Sequence, residues 1–118
     1  MNRILLPICL LLSSCIGHNN PCDSTTGNQV CITIINQSGH RIIEISLVHE
    51  RGRVELGSIP ANSSISTIFE SPGENSYVIT AVLDHGDTLK SPGTYTEGGY
   101  KLTEIVTQQE IKTKFDRY

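Results

Sequence analysis

The chain has 118 residues, and its 12 acidic and 9 basic side chains give a net charge of −3 at pH 7. A chain of this length forms one small domain. Its basic residues form no cluster that could neutralise phosphates, so the composition excludes nucleic acid as a partner.

The first fourteen residues have the order of charge and hydrophobicity found in an export signal. Arg3 precedes an apolar run over residues 4–12, and Ser13 and Ser14 follow it. This order matches the charged region, apolar region and small-residue cleavage site of a secretory signal peptide. The nine-residue run is too short to span a membrane, which takes about 20 apolar residues. We therefore predict that residues 1–14 are a signal peptide.

The segment Leu12-Ser13-Ser14-Cys15 resembles the lipobox of bacterial lipoproteins, in which an aliphatic residue and two small residues precede a lipidated cysteine. The resemblance implies a diacylglyceryl group on Cys15, cleavage of the Ser14–Cys15 bond and acylation of the new amino group. Two or three acyl chains hold a protein permanently, whereas one gives only marginal membrane binding. The alternative is an ordinary signal peptide cut near Ser14, with Cys15 paired elsewhere.

The same resemblance implies a location. Ile16 follows the cysteine, where the family's inner-membrane retention signal is an aspartate. We therefore expect a lipid-anchored protein of the bacterial cell envelope, held in the outer membrane on its periplasmic face or at the cell surface.

Residues 15–30 are polar and rich in turn-forming residues, which indicates a tether between the membrane and the folded domain. Cys9 lies in the signal peptide and Cys15 takes the lipid, so two cysteines remain, Cys22 and Cys31. In an exported protein the default for such a pair is a disulfide, which would staple the tether to the first strand. The alternative is a metal site that includes His18.

Residues 31–118 consist of short segments in which apolar and polar residues alternate, as in β-strands, separated by turn-forming residues. The pattern predicts an all-β fold, a small antiparallel β-sandwich of immunoglobulin-like architecture with about eight short strands. The most apolar segment, 77–84, is predicted to be a central strand, and Ile111 and Phe115 are predicted to face inward. The predicted strands span residues 31–36, 41–49, 54–59, 64–70, 77–84, 88–91, 100–107 and 110–116.

The sequence contains no catalytic arrangement that we can identify. It has no Gly-x-Ser-x-Gly elbow and no glycine-rich phosphate loop before a helix, so we predict no catalytic residue, no cofactor and no metal site. Asp84, His85 and Asp87 surround Gly86, but this pattern favours a turn, because no second group of ligands accompanies it. Glu104 alternates with Leu102 and Val106 and could point inward. It is then either a perturbed acid or a strand-edge or bulge residue, or it pairs with Arg41 or Lys101.

Residues 92–99 are predicted to form a loop that contains glycine and proline. Loops on rigid β scaffolds often carry binding residues, and tyrosine is a common anchor. Tyr95, Glu97 and Tyr100, beside flexible glycines, are therefore our candidate binding residues. An alternative for Tyr100 is that it begins a strand and packs in the core.

These features favour a non-enzymatic lipoprotein. Acyl groups on Cys15 would hold it in the membrane, and its β-sandwich would bind a protein or another envelope component, as in the secretion-system and immunity-type lipoproteins of similar plan. One alternative is a small metal-dependent or hydrolytic enzyme that uses the histidines and Glu104. Another is a structural envelope protein without a partner.

Overall fold

A computed structural model describes residues 21–115 of the chain. The predicted signal peptide, the lipidation site Cys15 and residues 16–20 of the predicted tether lie outside the described residues. In the part that is described, no helix is long and apolar enough to cross a membrane.

The described residues form one 3-10 turn, Pro21–Ser24, followed by nine β-strands. The strands are β1 (Gln29–Asn36), β2 (Ile42–His49), β3 (Gly52–Ile59), β4 (Ser64–Glu70), β5 (Glu74–Leu83), β6 (Thr88–Lys90), β7 (Thr94–Glu97), β8 (Lys101–Val106) and β9 (Ile111–Phe115).

The strands form two packed sheets, which confirms the predicted β-sandwich. Sheet one has the order β4-β1-β8-β9, and sheet two has the order β3-β2-β5-β6 with β7 also paired to β5. Neighbouring strands are antiparallel except β1 and β8, which are parallel. This pair departs from the purely antiparallel prediction. The chain visits sheet two between β1 and β8, so no hairpin forces these strands to run in opposite directions.

The ninth strand lies where a loop was predicted. β7 pairs with the first part of β5, with Thr94 opposite Tyr77 and Glu97 opposite Glu74. β5 is ten residues long, and β6 pairs only with residues Thr80 to Val82 on the same side. The first part of β5 therefore has free backbone hydrogen-bonding groups on this side, and the adjacent segment 94–97 pairs with them. The four residues of β7 are too few to show a hydrophobic period of their own.

The core lies between the two sheets, and β5 contributes to it at alternate positions. Tyr77, Ile79, Ala81 and Leu83 are buried, and β5 has strands on both sides. The prediction of a central strand here is confirmed, although the strand ends at Leu83 and Asp84 begins a turn. The other buried apolar residues of the cluster are Val30, Ile32, Ile34, Ile42, Ile45, Leu47, Ile59, Phe69, Leu102, Val106 and Ile111.

A disulfide joins Cys22 to Cys31, as predicted, with 5.5 Å between the Cα atoms. Val30 and Ile32 belong to the core cluster, so Cys31 between them points to the opposite face of sheet one. The disulfide therefore holds the 3-10 turn over that outer face. In the chain-entropy model a loop of this length stabilises the fold by about 2.7 kcal/mol.

Candidate functional site

The predicted binding residue Tyr95 lies on the outer side of β7. The strand alternates, with Thr94 and Thr96 buried and Tyr95 47% exposed. Among the described strands β7 pairs only with β5, so one of its edges is open. The strand therefore presents an aromatic side chain beside unpaired backbone at the margin of the sandwich.

The structure brings the three predicted residues together and adds a fourth. The Tyr95 hydroxyl donates to Glu97 Oε2 at 2.6 Å, and the Tyr100 hydroxyl approaches the same oxygen at 3.4 Å. The Tyr100 ring lies edge-on between two others, 6.2 Å from Tyr95 and 6.4 Å from Phe115 between ring centroids. We call Tyr95, Glu97, Tyr100 and Phe115 the tyrosine surface. It crosses the edge of the sandwich from β7 in sheet two to β9 in sheet one.

Phe115 is the member that sequence reasoning missed. It was predicted to face the core, but its side chain is 59% exposed. Ile111 lies on the same face of β9 and is buried as predicted. Alternation correctly indicates the face of a strand, whereas exposure at a strand's end depends on how far the neighbouring strands extend.

Two carboxylates lie beside Tyr95. Glu74 lies directly opposite Glu97 on the paired strands, and within residues 21–115 neither carboxylate forms an ion pair. The hydrogen bond to Glu97 is the main cause that raises the pKa of Tyr95 to about 12, with desolvation and the two carboxylates adding to it. Tyr95 therefore stays a neutral hydroxyl at physiological pH.

Tyr100 combines the two roles proposed for it. It lies immediately before β8 and is partly buried against the core. One edge of its ring also lies between Tyr95 and Phe115. The ring thereby connects an exposed aromatic cluster to the rigid interior.

Gly98, in the segment before Tyr100, is closely packed against backbone atoms. A Cβ atom at this position would lie 2.3 Å from the Gly27 carbonyl oxygen and 2.5 Å from that of Ser71. Both are backbone atoms that cannot rotate away. Glycine is therefore needed at position 98, because two chain segments pass close to it.

The tyrosine surface lies at the end of the sandwich where the disulfide is. The Cys31 amide donates to the Tyr100 carbonyl at 3.1 Å, and Cys31 pairs with Lys101 across the parallel strands. Cys31 also carries the disulfide to Cys22. The 3-10 turn thus lies at the same end of the sandwich as the tyrosine surface, packed against β1 and β4.

Glu104 is a buried acid without access to solvent. Its side chain is 0% exposed. The Tyr77 hydroxyl donates to Glu104 Oε2 at 2.5 Å, and the Thr113 hydroxyl lies 2.9 Å from each carboxylate oxygen. Burial raises the pKa of Glu104, while these hydrogen bonds oppose the increase.

Tyr77 and Glu104 join the two sheets through their side chains. Burial, followed by the interaction with Glu104, raises the pKa of Tyr77, so its hydroxyl remains a donor. The pairing of Glu104 with Arg41 or Lys101 and its placement at a strand edge are therefore wrong. The enclosed carboxyl of Glu104 links β5 to β8 and β9 within the interior.

Two of the described histidines, His40 and His85, lie together, and His49 lies elsewhere. His18 lies outside the described residues. His49 stacks on Phe69 with 4.3 Å between ring centroids, and burial, followed by the charge of Arg51, lowers its pKa. His40, from the loop between β1 and β2, meets the turn at Asp84 and His85. The sequence showed the turn but not that His40 reaches it.

Comparison with known proteins supports the fold alone. No protein-family model matches the chain, and no curated protein matches it in sequence. A solved structure described as the "NMR structure of the protein from Eubacterium rectale" resembles it with a TM-score of 0.57 and 13% identity, over 77% of this chain and 91% of that one. At this identity the resemblance extends to the β-sandwich architecture.

Proposed function

We propose that this protein is a small lipid-anchored protein of the bacterial cell envelope, whose β-sandwich binds another envelope protein through the tyrosine surface. The observation that carries the proposal is the convergence of Tyr95, Glu97 and Tyr100 with Phe115 on one exposed edge. The lipobox resemblance of Leu12 to Cys15 supports the anchor and the outer-membrane location.

The aromatic rings suit a protein contact because they offer large apolar area with little conformational entropy to lose. Tyr95 and Glu97 hold one another through a hydrogen bond, and Tyr100 is partly buried, so the surface is ordered before a partner arrives. Preorganised tyrosines are typical anchors of protein interfaces. Partner side chains can therefore pack on the rings without a large ordering cost.

The carboxylates indicate the charge of the partner. Glu74 and Glu97 face each other across two strands, and like charges in that position destabilise a sheet. A lysine or arginine of the partner would relieve the repulsion and could also stack on a tyrosine ring. The two carboxylates also argue against the anionic surface of a membrane as the direct contact.

The short distance to the anchor limits where the partner lies. Cys22 follows Cys15 by seven residues, and an extended chain of that length reaches at most about 25 Å. Because the tyrosine surface lies at the disulfide end of the fold, the proposed anchor would keep it close to the membrane. The partner is then an integral or lipid-anchored protein, or a domain that approaches the bilayer.

The anchor is tested by mass spectrometry of the mature N-terminal peptide. The expected peptide begins at Cys15 and carries the mass of two or three acyl chains, and the Cys15→Ser variant lacks that mass. The protein should also stay with membranes at high salt, because acyl burial is insensitive to ionic strength. An unmodified Cys15, or a mature chain that starts elsewhere, contradicts the anchor.

The partner is tested by photo-crosslinking in intact cells, with the reactive amino acid at position 95 and, as control, at position 43. Ile43 is a matched site, since it is 51% exposed on β2, away from the tyrosine surface. We expect a discrete protein adduct from position 95 only. In a pull-down from solubilised envelope, Tyr95→Ala should lose the same protein and Ile43→Ala should keep it. Equal adducts from both positions, or lipid adducts alone, contradict the proposal.

A further inference from the structure

The opposite end of the sandwich carries a second group of side chains, independent of the tyrosine surface. His40 lies in the loop that leads from β1 to β2, and Asp84 and His85 lie in the turn between β5 and β6. One ligand atom from each of the three lies within 4.8 Å of the others. We propose that His40, Asp84 and His85 form a site for a divalent transition-metal ion of the zinc class.

The distances suit a metal ion with short bonds. His40 Nδ1 lies 3.3 Å from Asp84 Oδ1, and His85 Nδ1 lies 3.8 Å from the same oxygen. Donors bound tetrahedrally to zinc at about 2.0–2.1 Å are separated by about 3.3 Å. Rotation of the two imidazoles would bring their nitrogens to these separations and complete the set. Two nitrogens and one carboxylate oxygen are ligands that zinc prefers, and solvent can fill the remaining position.

Asp87 orients His85 for this role. His85 Nε2 lies 2.9 Å from Asp87 Oδ2, and a carboxylate only accepts hydrogen bonds, so this nitrogen carries the hydrogen. In the neutral ring Nδ1 then presents its lone pair toward Asp84. A carboxylate that holds the other nitrogen of a ligand histidine is the usual arrangement around protein-bound metals.

The charge distribution of the three side chains favours a cation between them. His85 Nδ1 and Asp84 Oδ1 are both electron-rich when the ring is neutral, and His40 Nδ1 faces the same oxygen. The rings of His40 and His85 lie 4.2 Å apart between centroids. A metal ion bound to all three would turn this repulsion into coordination.

The backbone that carries the ligands is fixed by buried groups. The His40 carbonyl accepts hydrogen bonds from Asn36 Nδ2 at 2.7 Å and Ser38 Oγ at 3.0 Å, and both residues are buried. The Arg41 amide donates to Asp84 Oδ2 at 3.4 Å, and the Asp84 amide donates to the Arg41 carbonyl at 2.9 Å. The two loops are thus held against each other, and Oδ1 of Asp84 is left to face the imidazoles.

The test is a calorimetric titration of Zn²⁺ into the full chain, purified in detergent without a histidine tag and stripped of metal. We expect one ion per chain. The double variant His40→Ala/His85→Ala should bind more than about 100-fold more weakly, and Asp87→Asn about 10- to 100-fold more weakly. His49→Gln is the matched control and should bind as the parent does, because it removes an imidazole elsewhere.

Two further measurements fix the location of the ion. Imidazole nitrogen resonances of His40 and His85 should shift on adding Zn²⁺, and those of His49 should not. The melting temperature of the parent should rise by at least about 5 °C with saturating zinc, whereas that of the double variant should not. The proposal is overturned by no saturable binding up to millimolar Zn²⁺, or by binding that persists in the double variant, which would place the ion on other groups.

Discussion

The two ends of the sandwich differ in how they are assembled. At the end where β1 begins, Tyr95, Glu97 and Tyr100 come from one short stretch of chain and are joined by direct contacts. At the end where β1 finishes, His40 comes from one loop and Asp84 and His85 come from another. A surface built from neighbouring residues is visible in the sequence, whereas a group built from two loops depends on how the sheets bring the loops together.

The substitution with the largest expected effect should unfold the domain and so disrupt both ends of the sandwich. Ile79 is fully buried on the central strand β5, and Ile79→Asp places an unpaired charge in the core. We expect a loss of at least about 4 kcal/mol of unfolding free energy, which is enough to unfold a small domain. Val82→Asp is the control, because Val82 lies on the outer face of the same strand.

Circular dichroism and urea unfolding measure this effect. Val82→Asp should retain the β signal and a cooperative transition, and Ile79→Asp should retain neither. A folded Ile79→Asp variant with the parent's urea midpoint would show that β5 is not the strand that unites the two ends.

A smaller effect should be confined to the end of the sandwich that carries the disulfide. Removing the disulfide with Cys22→Ser/Cys31→Ser is expected to lower the unfolding free energy by about 2.7 kcal/mol, because the unfolded chain regains the entropy of an open loop. Reduction of the parent protein should give the same loss. Amide resonances should shift around the 3-10 turn and Tyr100 and stay unchanged around His40. Equal shifts at both ends would contradict their structural independence.

Gly98→Ala tests the support beneath the tyrosine surface. The new methyl group would collide with the carbonyl oxygens of Gly27 and Ser71, so we expect a loss of about 2 kcal/mol. Gly93→Ala is the matched control, since nothing lies within 4 Å of a Cβ placed there. Chemical denaturation of the two variants measures the difference. Equal stability would show that the segment before Tyr100 has room to move.

The smallest expected effect is a change in the pH dependence of stability. It arises from Glu104, which is buried in the interior between the two ends. Burial raises the pKa of Glu104 in the folded protein, whereas the unfolded carboxyl titrates near about 4.3. Between these two pKa values the folded state binds more protons, so stability falls as pH rises and the full cost is present above the folded pKa.

Glu104→Gln removes that titration. Relative to the variant, the parent should lose stability progressively as pH rises above about 4.3. Urea midpoints measured from about pH 4 to about pH 8 test the sign, with Glu110→Gln as the control for removing one exposed surface carboxyl. A parent that gains stability over this range relative to Glu104→Gln would contradict the raised pKa.

The amino-acid sequence by itself indicated the class of fold, the disulfide and three of the four residues of the tyrosine surface, Tyr95, Glu97 and Tyr100. Period-two alternation identifies strand faces, and the two cysteines that remain in a chain predicted to be exported indicate the disulfide, because both are local or compositional signals. The lipobox resemblance belongs with these, and it remains a prediction because Cys15 lies outside the described residues.

Only the tertiary structure decided the parallel pairing of β1 with β8, the pairing of residues 94–97 with β5, the partners of Glu104 and the meeting of His40 with Asp84 and His85. The exposure of Phe115 and the tight packing around Gly98 belong to the same group. Each depends on contacts between residues far apart in the chain. Strand register and the distance between sheets fix these contacts, and neither quantity can be obtained from a local pattern.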